Sequence, residues 1–464
     1  MPRLYQQRSC LLVIAATILL FSCKLANKEK PEVDNGAAAT AAPTPPPSWI
    51  QQSNVYEINV RQYTPEGTFN AFAQHLPRLK KMGVEILWFM PITPISKTDR
   101  KGTLGSYYAV ADYRGVNPEF GTLEDFKALV KKAHEMGFKV ITDWVPNHTG
   151  ADHPWLKSNP DFFVKDSLGN AAHPYDWTDT RDLNYDNMAM RDSMIDAMKY
   201  WIRETDIDGF RCDVAWGVPV DFWKKCIPEL RAMKSIFMLA EGDAGDLHQA
   251  GFDASYPWEM FQMMKKVASG ERNALSLDTV LKHQDSTFPA GAIRLYFTSN
   301  HDENSWNKSD YGTFPGTEHA PFAVFTQTMR ASLPLVYSGQ EEPVLRKIEF
   351  FEKDPMKFGS YKREKFYSTL LHLRENNPAL AVEASFKRVK VGDDKALYAY
   401  VREKAGHKVF VILNFSDKEQ RITIPDNSFE GEPYNVFLAT KEKLSSGHSF
   451  NIEPWGYIIY DYDR

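Results

Sequence analysis

The sequence predicts an α/β protein: a closed (β/α)8 barrel with a short insertion after its third strand, then a small antiparallel β-sandwich. Three observations carry this. Short apolar runs alternate with helical patterns eight times between about residues 54 and 375, and such alternation implies a parallel sheet that eight units can close. Four of the runs lead into a carboxylate: Asp143, Asp213, Glu241 and Asp302. From about residue 384 the helical pattern gives way to short alternating runs separated by turn residues, as in an antiparallel sheet.

The elements follow in order. Residues 54–60 (NVYEINV) read as the first strand, and Phe69, Phe72, Leu76, Leu79 and Met82 recur at helical spacing until Gly83 stops them. Residues 84–89 are nearly all apolar, the mark of a strand covered on both faces. Thr122 and Asp125 offer a capping box to a helix closed by Gly137. Strand 138–142 then leads into Asp143, and an irregular segment precedes a helix through Met194, Met198 and Trp201. That helix delivers a fourth strand, 209–215. Further strands are expected at 236–240, 252–256, 292–298 and 333–338, with helices between them and a last one at about 362–375. The C-terminal sandwich is read at 388–391, 397–402, 409–414, 420–424 and 456–460.

A chain of 464 residues exceeds one ordinary core, so a large and a small domain are expected. Net charge is −5, and with no basic run in the folded part nucleic acid is excluded as a partner. Arg3 and Arg8 precede an apolar run, 10–21, too short to span a membrane in the mature protein. It ends in Leu20-Phe21-Ser22-Cys23, which resembles the lipobox of bacterial lipoproteins. That resemblance implies a signal peptide over 1–22, lipidation of Cys23 and an exported protein anchored to a bacterial membrane by its acyl chains. Residues 24–48 are rich in Lys, Glu, Ala, Thr and Pro and read with Cys23 as a tether, 23–48. Folding is expected over 49–383 for the barrel, with 149–181 inserted, and 384–464 for the sandwich. Cys212 and Cys226 read as buried thiols without metal spacing.

The fourth strand is the most informative. Side chains alternate across a strand, so Gly209, Arg211 and Asp213 share one face and Phe210, Cys212 and Val214 share an apolar one. A guanidinium and a carboxylate on one face either make an edge-strand salt bridge or do chemistry. Active sites of this fold lie at the C-terminal strand ends. Asp213 and Glu241 are 28 residues apart, one strand–helix repeat. They therefore end neighbouring strands, where two carboxyls can approach to about 5 Å, the spacing of a retaining glycosidase.

Four segments then bear a strong likeness to one family. Asp143-Trp-Val-Pro-Asn147-His148, Gly209-Phe-Arg211-Cys-Asp213-Val-Ala, Leu239-Ala-Glu241-Gly and Phe297-Thr-Ser-Asn-His301-Asp302 resemble the signature regions of the α-amylase family of glycoside hydrolases (family 13). The likeness runs from about Trp49 to the C-terminus. It implies Asp213 as nucleophile and Glu241 as acid/base. Asp302 would hold sugar hydroxyls in the transition state, His148 and His301 would hydrogen-bond the same sugar, and Tyr108, four residues before Asp112, would stack on it. Arg211 would keep Asp213 ionised, and Asp143 would orient Arg211. Trp144, Trp177 and Trp216 are expected on loops at the active end, where any could be a sugar platform.

The implied activity is hydrolysis of α-1,4 bonds in starch-like glucans or maltooligosaccharides, with no cofactor required. The same acids serve α-1,6- and cyclodextrin-cleaving enzymes and transglycosylases, and a glycan-binding lipoprotein without turnover is the reading from another class. The chain departs from the family where many members carry Lys-His after the nucleophile; here Trp216 and Gly217 stand. Asn147 and Asp182 match calcium ligands of the family, yet with a ligand position changed the structural calcium site is in doubt. The short insertion suggests an open cleft.

Overall fold

The structure, a computed structural model, describes residues 46–308 and 310–463. Cys23, the signal segment and most of the tether lie outside the described residues. Eight parallel strands close a TIM barrel: β1 (Val55–Ile58), β2 (Ile86–Phe89), β3 (Lys139–Trp144), β4 (Gly209–Cys212), β5 (Phe237–Ala240), β6 (Ala254–Ser255), β7 (Ile293–Tyr296) and β8 (Ser332–Tyr337). Each pairs with its neighbours in sequence, and β8 returns to β1. Every residue of β1, β2, β4, β5, β7 and β8 is buried, because helices cover the outside while side chains fill the inside.

Local chemistry sets the boundaries. Gly83 takes φ +96°, the left-handed cap that ends helix Leu76–Met82 and turns the chain into β2. Thr122 and Asp125 form the expected capping box on helix Leu123–Glu135. The helical pattern after β6 is two helices, Trp258–Ala268 and Leu275–Thr287. Gly270, at φ +74°, turns the chain between them.

Two strand ends differ from expectation, and both bear on the site. β3 runs to Trp144, so Ile141 and Asp143 point inward and Val140 and Trp144 outward into the helix layer. Trp144 is therefore not a loop platform: it is 2% exposed and packs on Tyr113 and Phe210. β4 stops at Cys212, and Val214 enters the left-handed region at φ 44°. Asp213 thus sits where the strand breaks, at the barrel mouth.

The insertion carries a two-stranded ribbon, His148–Gly150 against Thr180–Asp182. Past the barrel, Ser385–Val389, Leu397–Lys404, His407–Asn414, Tyr457–Asp461, Tyr434–Asn435 and Thr440–Lys441 form, in that spatial order, a six-stranded sheet that is antiparallel throughout. A ribbon of Gln420–Thr423 and Ser449–Ile452 is the second layer. Alternation divides the large sheet's faces: Tyr398, Tyr400, Val409 and Val411 join the barrel-side core, while Leu397, Ala399, Phe410 and Ile412 pack in the small domain's own core. Cys212 and Cys226 are buried free thiols.

Candidate active site

The site is organised around Arg211. Its Cα pairs with that of Asp143 on β3, and Cys212 pairs with Ala240 on β5. The register therefore sets Asp213 and Glu241 side by side just beyond the last paired residues. Arg211 is fully buried. Its Nη1 donates to Asp143 Oδ1 at 2.9 Å and to Asp213 Oδ1 at 2.8 Å. Its Nη2 lies 3.2 Å from Glu241 Oε2, and its Nε donates to the Tyr256 hydroxyl at 3.3 Å. This is no edge-strand salt bridge: one guanidinium ties three carboxylates from three strands, with Trp88, Tyr108 and Tyr256 rings around it. Glu241 also accepts the Val214 backbone N–H at 2.7 Å, a bond the strand break makes available.

The second half of the site comes from the loops after β2 and β7. The Tyr108 hydroxyl lies 3.1 Å from Asp143 Oδ2 and 2.7 Å from His301 Nε2. Its ring stacks on His301 at 5.4 Å and on Phe350 at 6.3 Å. His301 Nε2 is also 3.3 Å from Asp302 Oδ2, while Nδ1 faces Glu57 Oε1 at 2.5 Å. His148 lies across the cleft, 5.3 Å from the Trp177 ring, with Nδ1 3.3 Å from the Asn147 amide.

Their surroundings move the two histidines in opposite directions. Burial pushes His148 down to about 4, so it is neutral at pH 7. Burial also opposes a charge on His301, but Asp302 and Glu57 outweigh it and lift that imidazole to about 9. Burial raises Asp143 to about 7 and raises Asp213 and Glu241 above their ordinary values, with Arg211 working against it in all three. The Arg211 cation, also opposed by burial, is held well above its usual value, first by Asp143.

These groups line a cleft of about 520 Å³ at the C-terminal face of the barrel, with Asp213, Glu241, Asp302, Tyr108, His148 and His301 on its walls. Trp177, Trp306, Phe350 and Phe351 add aromatic surface, and Lys101 pairs with Asp179 at 3.3 Å on the insertion side. Trp216 is 54% exposed at the mouth, its ring 6.4 Å from Tyr175. The structure thus gathers Tyr108, Asp143, His148, Arg211, Asp213, Glu241, His301 and Asp302 as the sequence suggested, and puts Trp177 on the cleft wall; Trp144 points away from the site, and Cys23 lies outside the described residues. Sequence reasoning missed Glu57, Tyr256, Trp306, Phe350 and Phe351. Glu57 had one signal, a lone acid in an otherwise unbroken strand.

The calcium ligands suggested by resemblance make a sparse set. Asn147 Nδ2 turns to His148, a Cβ at Gly217 would lie 2.8 Å from Asn147 Oδ1, and Asp182 sits in the ribbon opposite His148. Among the described residues no three His, Cys, Asp or Glu side chains gather as a metal group. These donors do not make up the shell of six to eight oxygens that calcium takes.

A buried cation joining acids at adjacent strand ends, in a cleft walled by aromatics, defines a glycosidase-type site. Comparison with known proteins agrees. Residues 35–358 match the catalytic-domain model of the α-amylase family, and 397–459 match the C-terminal domain of the α-amylase SusG. The chain belongs to the α-amylase family of glycoside hydrolases. It is 28% identical over 412 residues to the α-amylase MalA of Haloarcula japonica, covering 85% of this chain and 60% of that protein's length. It is 24% identical over 465 residues to a cyclomaltodextrinase of Thermoanaerobacter pseudethanolicus, covering 88% of this chain and 77% of that protein. Among solved structures, an α-amylase from Lactobacillus plantarum superposes with a TM-score of 0.80 at 28% identity, covering 89% of this chain and 99% of that one. A maltogenic α-amylase, AmyB, from Thermotoga neapolitana superposes with a TM-score of 0.82 at 27% identity, with the same coverage. The acid chemistry of this family needs no cofactor.

Proposed function

We propose that the chain hydrolyses α-1,4-glucosidic bonds of starch-like glucans or maltooligosaccharides with retention of configuration. The observation that carries the reading is the pair Asp213 and Glu241, set by register on neighbouring strand ends and joined to one buried guanidinium. Asp213, in the shorter contact with Arg211, attacks the anomeric carbon. The glycosidic oxygen departs with the Glu241 proton, leaving a glycosyl-enzyme. The Glu241 carboxylate then takes a proton from water as that water attacks the same carbon and frees Asp213. Burial, by raising the Glu241 pKa, favours the protonated form that the first step needs. Asp302, His148 and His301 hold the sugar's hydroxyls, and Tyr108 carries its apolar face. The likeness to a cyclomaltodextrinase keeps a cyclodextrin-cleaving or transferring specificity as the second reading. The exposed pair Trp216 and Tyr175, which could seat an acceptor sugar, is the feature that favours it.

The test is product analysis on starch, maltoheptaose, pullulan and β-cyclodextrin in parallel, with the product anomer followed by ¹H NMR. Initial release of the α-anomer from the α-1,4 substrates is expected. Initial β-anomer overturns retention, and glucan binding without turnover overturns the enzyme reading. We also propose export and lipid anchoring through Cys23, on the strength of the apolar run that ends there. Fatty-acid labelling lost in Cys23→Ala is the expected result, and unchanged labelling rejects the site.

A further inference from the structure

Glu57 is the third residue of β1, wholly buried inside the barrel beneath the cleft. An isolated carboxylate there is costly unless a cation pairs with it. Its Oε1 meets His301 Nδ1 at 2.5 Å, whereas Oε2 has no hydrogen-bond partner. Arg211 acts on it at longer range, and the Tyr256 and Tyr337 hydroxyl groups also feel its charge. His301 is therefore its cation.

Hydrogen-bond accounting shows what this does to the site. Burial raises the Glu57 carboxyl, with His301 and Arg211 working against it; with Glu57 ionised, the facing His301 Nδ1 carries a proton. Tyr108 has one O–H to give, and its oxygen stands between His301 Nε2 at 2.7 Å and Asp143 Oδ2 at 3.1 Å. If Nε2 is bare, Tyr108 donates to it, and Asp143 Oδ2 loses that donor unless Asp143 itself takes a proton. If Nε2 is protonated, it donates to Tyr108 or Asp302, and Tyr108 donates to an ionised Asp143. One proton can thus sit at either end of the His301–Tyr108–Asp143 chain. The groups facing His301 are Glu57 on β1, Tyr108, Asp143 on β3, Arg211 and Asp213 at β4, Glu241 at β5 and adjacent Asp302; only Arg211 disfavours an imidazolium. The end that holds the proton matters because an ionised Asp143 accepts from the same Arg211 nitrogen that holds Asp213.

We propose that Glu57 is a positioning residue of this site: it fixes the shared proton on His301, and so keeps Asp143 ionised to hold Arg211 against the nucleophile. This rests on the reading of the site given above, but its primary readout does not need turnover. Burial works against this by raising Asp143 to about 7, but His301, lifted to about 9, stands above it and so takes the proton first.

The experiment is ¹⁵N-histidine NMR of the full chain across pH 5–10, with His301→Asn identifying the signal, on wild type, Glu57→Gln and Glu57→Asp. In wild type His301 is expected as an imidazolium with both nitrogens protonated at pH 7. In Glu57→Gln its titration is expected to fall by about one pH unit or more, and Glu57→Asp is expected to restore most of it. The high-pH limb of kcat/KM on maltoheptaose should shift with the NMR titration in each variant. A neutral His301 at pH 7 in wild type overturns the proposal, and that measurement stands even where Glu57→Gln does not fold. An unshifted titration in folded Glu57→Gln overturns it too. Absence of turnover with the NMR result intact rejects the catalytic reading while leaving the Glu57–His301 pair in place.

Discussion

Arg211 and Arg374 are both fully buried, at opposite ends of the barrel, and their surroundings satisfy them in opposite ways. Arg211, at the C-terminal mouth, is held by carboxylates: Asp143, Asp213 and Glu241. Arg374, on helix Glu364–Asn376, reaches the N-terminal end and gives its donors to backbone carbonyls. Nε goes to Ser53 O and Nη1 to Leu380 O, both at 2.8 Å, and Nη2 goes to Ser332 O at the start of β8. Burial drives Arg374 down to about 9, with nearby Arg402 adding to the fall. Arg402 repeats the pattern in the seam with the small domain, donating to Thr328 O and Met329 O at the end of helix His319–Thr328. Those carbonyls lack partners within the helix. The contrast separates two uses of a buried cation. Carbonyl dipoles solvate a charge and fasten chain segments together, whereas carboxylates are themselves reactive and are held in place by it.

The largest expected effect tests the mouth. Asp213→Asn keeps shape and removes the charge of the proposed nucleophile, so kcat on maltoheptaose should fall on the order of 10⁴-fold or more. The melting temperature should hold or rise, since one of three crowded acids has been neutralised. Turnover near wild type rejects Asp213 as nucleophile.

Arg374→Met tests the other end. It leaves carbonyls at Ser53, Leu380 and Ser332 buried without donors, for a destabilisation of about 3 kcal/mol or more. Measured per folded molecule, kcat/KM should stay within about twofold. A loss of activity matching the loss of stability breaks the comparison, because it makes the N-terminal arginine part of the site's support.

The two ends should also part company with pH. Asp143 is raised from 3.8 to about 7, so the folded state holds its proton more tightly than the unfolded chain. Its contribution to stability is therefore fully present below about pH 4 and is lost as pH rises through 7. Arg374 stays cationic over that window. Denaturant melts from pH 4 to 8 should show Arg374→Met declining parallel to wild type. Asp143→Asn should flatten the decline by roughly 4 kcal/mol. A parallel slope in both variants shows that Asp143 does not titrate in the folded mouth.

How much of this was legible in the sequence depended on whether a residue's partner lay nearby in the chain. Arg211 and Asp213 share a strand face two residues apart, and Glu241 follows by one repeat, so the carboxylate core could be read directly. The eight strands were readable for the same reason, since each apolar run is its own signal. Glu57 was not, because its partner His301 is 244 residues away and only barrel closure brings them together. Trp144 was misplaced through its strand end: with β3 continued to Asp143 on the inner face, alternation sends the next residue outward. Arg374 carried no signal at all, since a cation whose partners are backbone carbonyls leaves no complementary residue type to find.

The smallest predicted effect sharpens the contrast within the mouth itself. Trp88 and Trp144 are buried in the barrel wall, whereas Trp216 stands 54% exposed just after the strand break, beside Tyr175. A Cβ at Gly242, the residue after Glu241, would lie 3.3 Å from Trp216 Cβ, which puts the indole's base beside the proposed acid/base. Solvent-facing aromatic surface contributes little to folding. Trp216→Ala should therefore leave the melting temperature within error. It should raise KM for maltoheptaose several-fold, a loss of about 1 kcal/mol in sugar contact, and lower the ratio of transfer to hydrolysis products at high substrate concentration. A variant that loses stability and keeps KM assigns Trp216 to the wall and leaves acceptor binding to the other rings of the cleft.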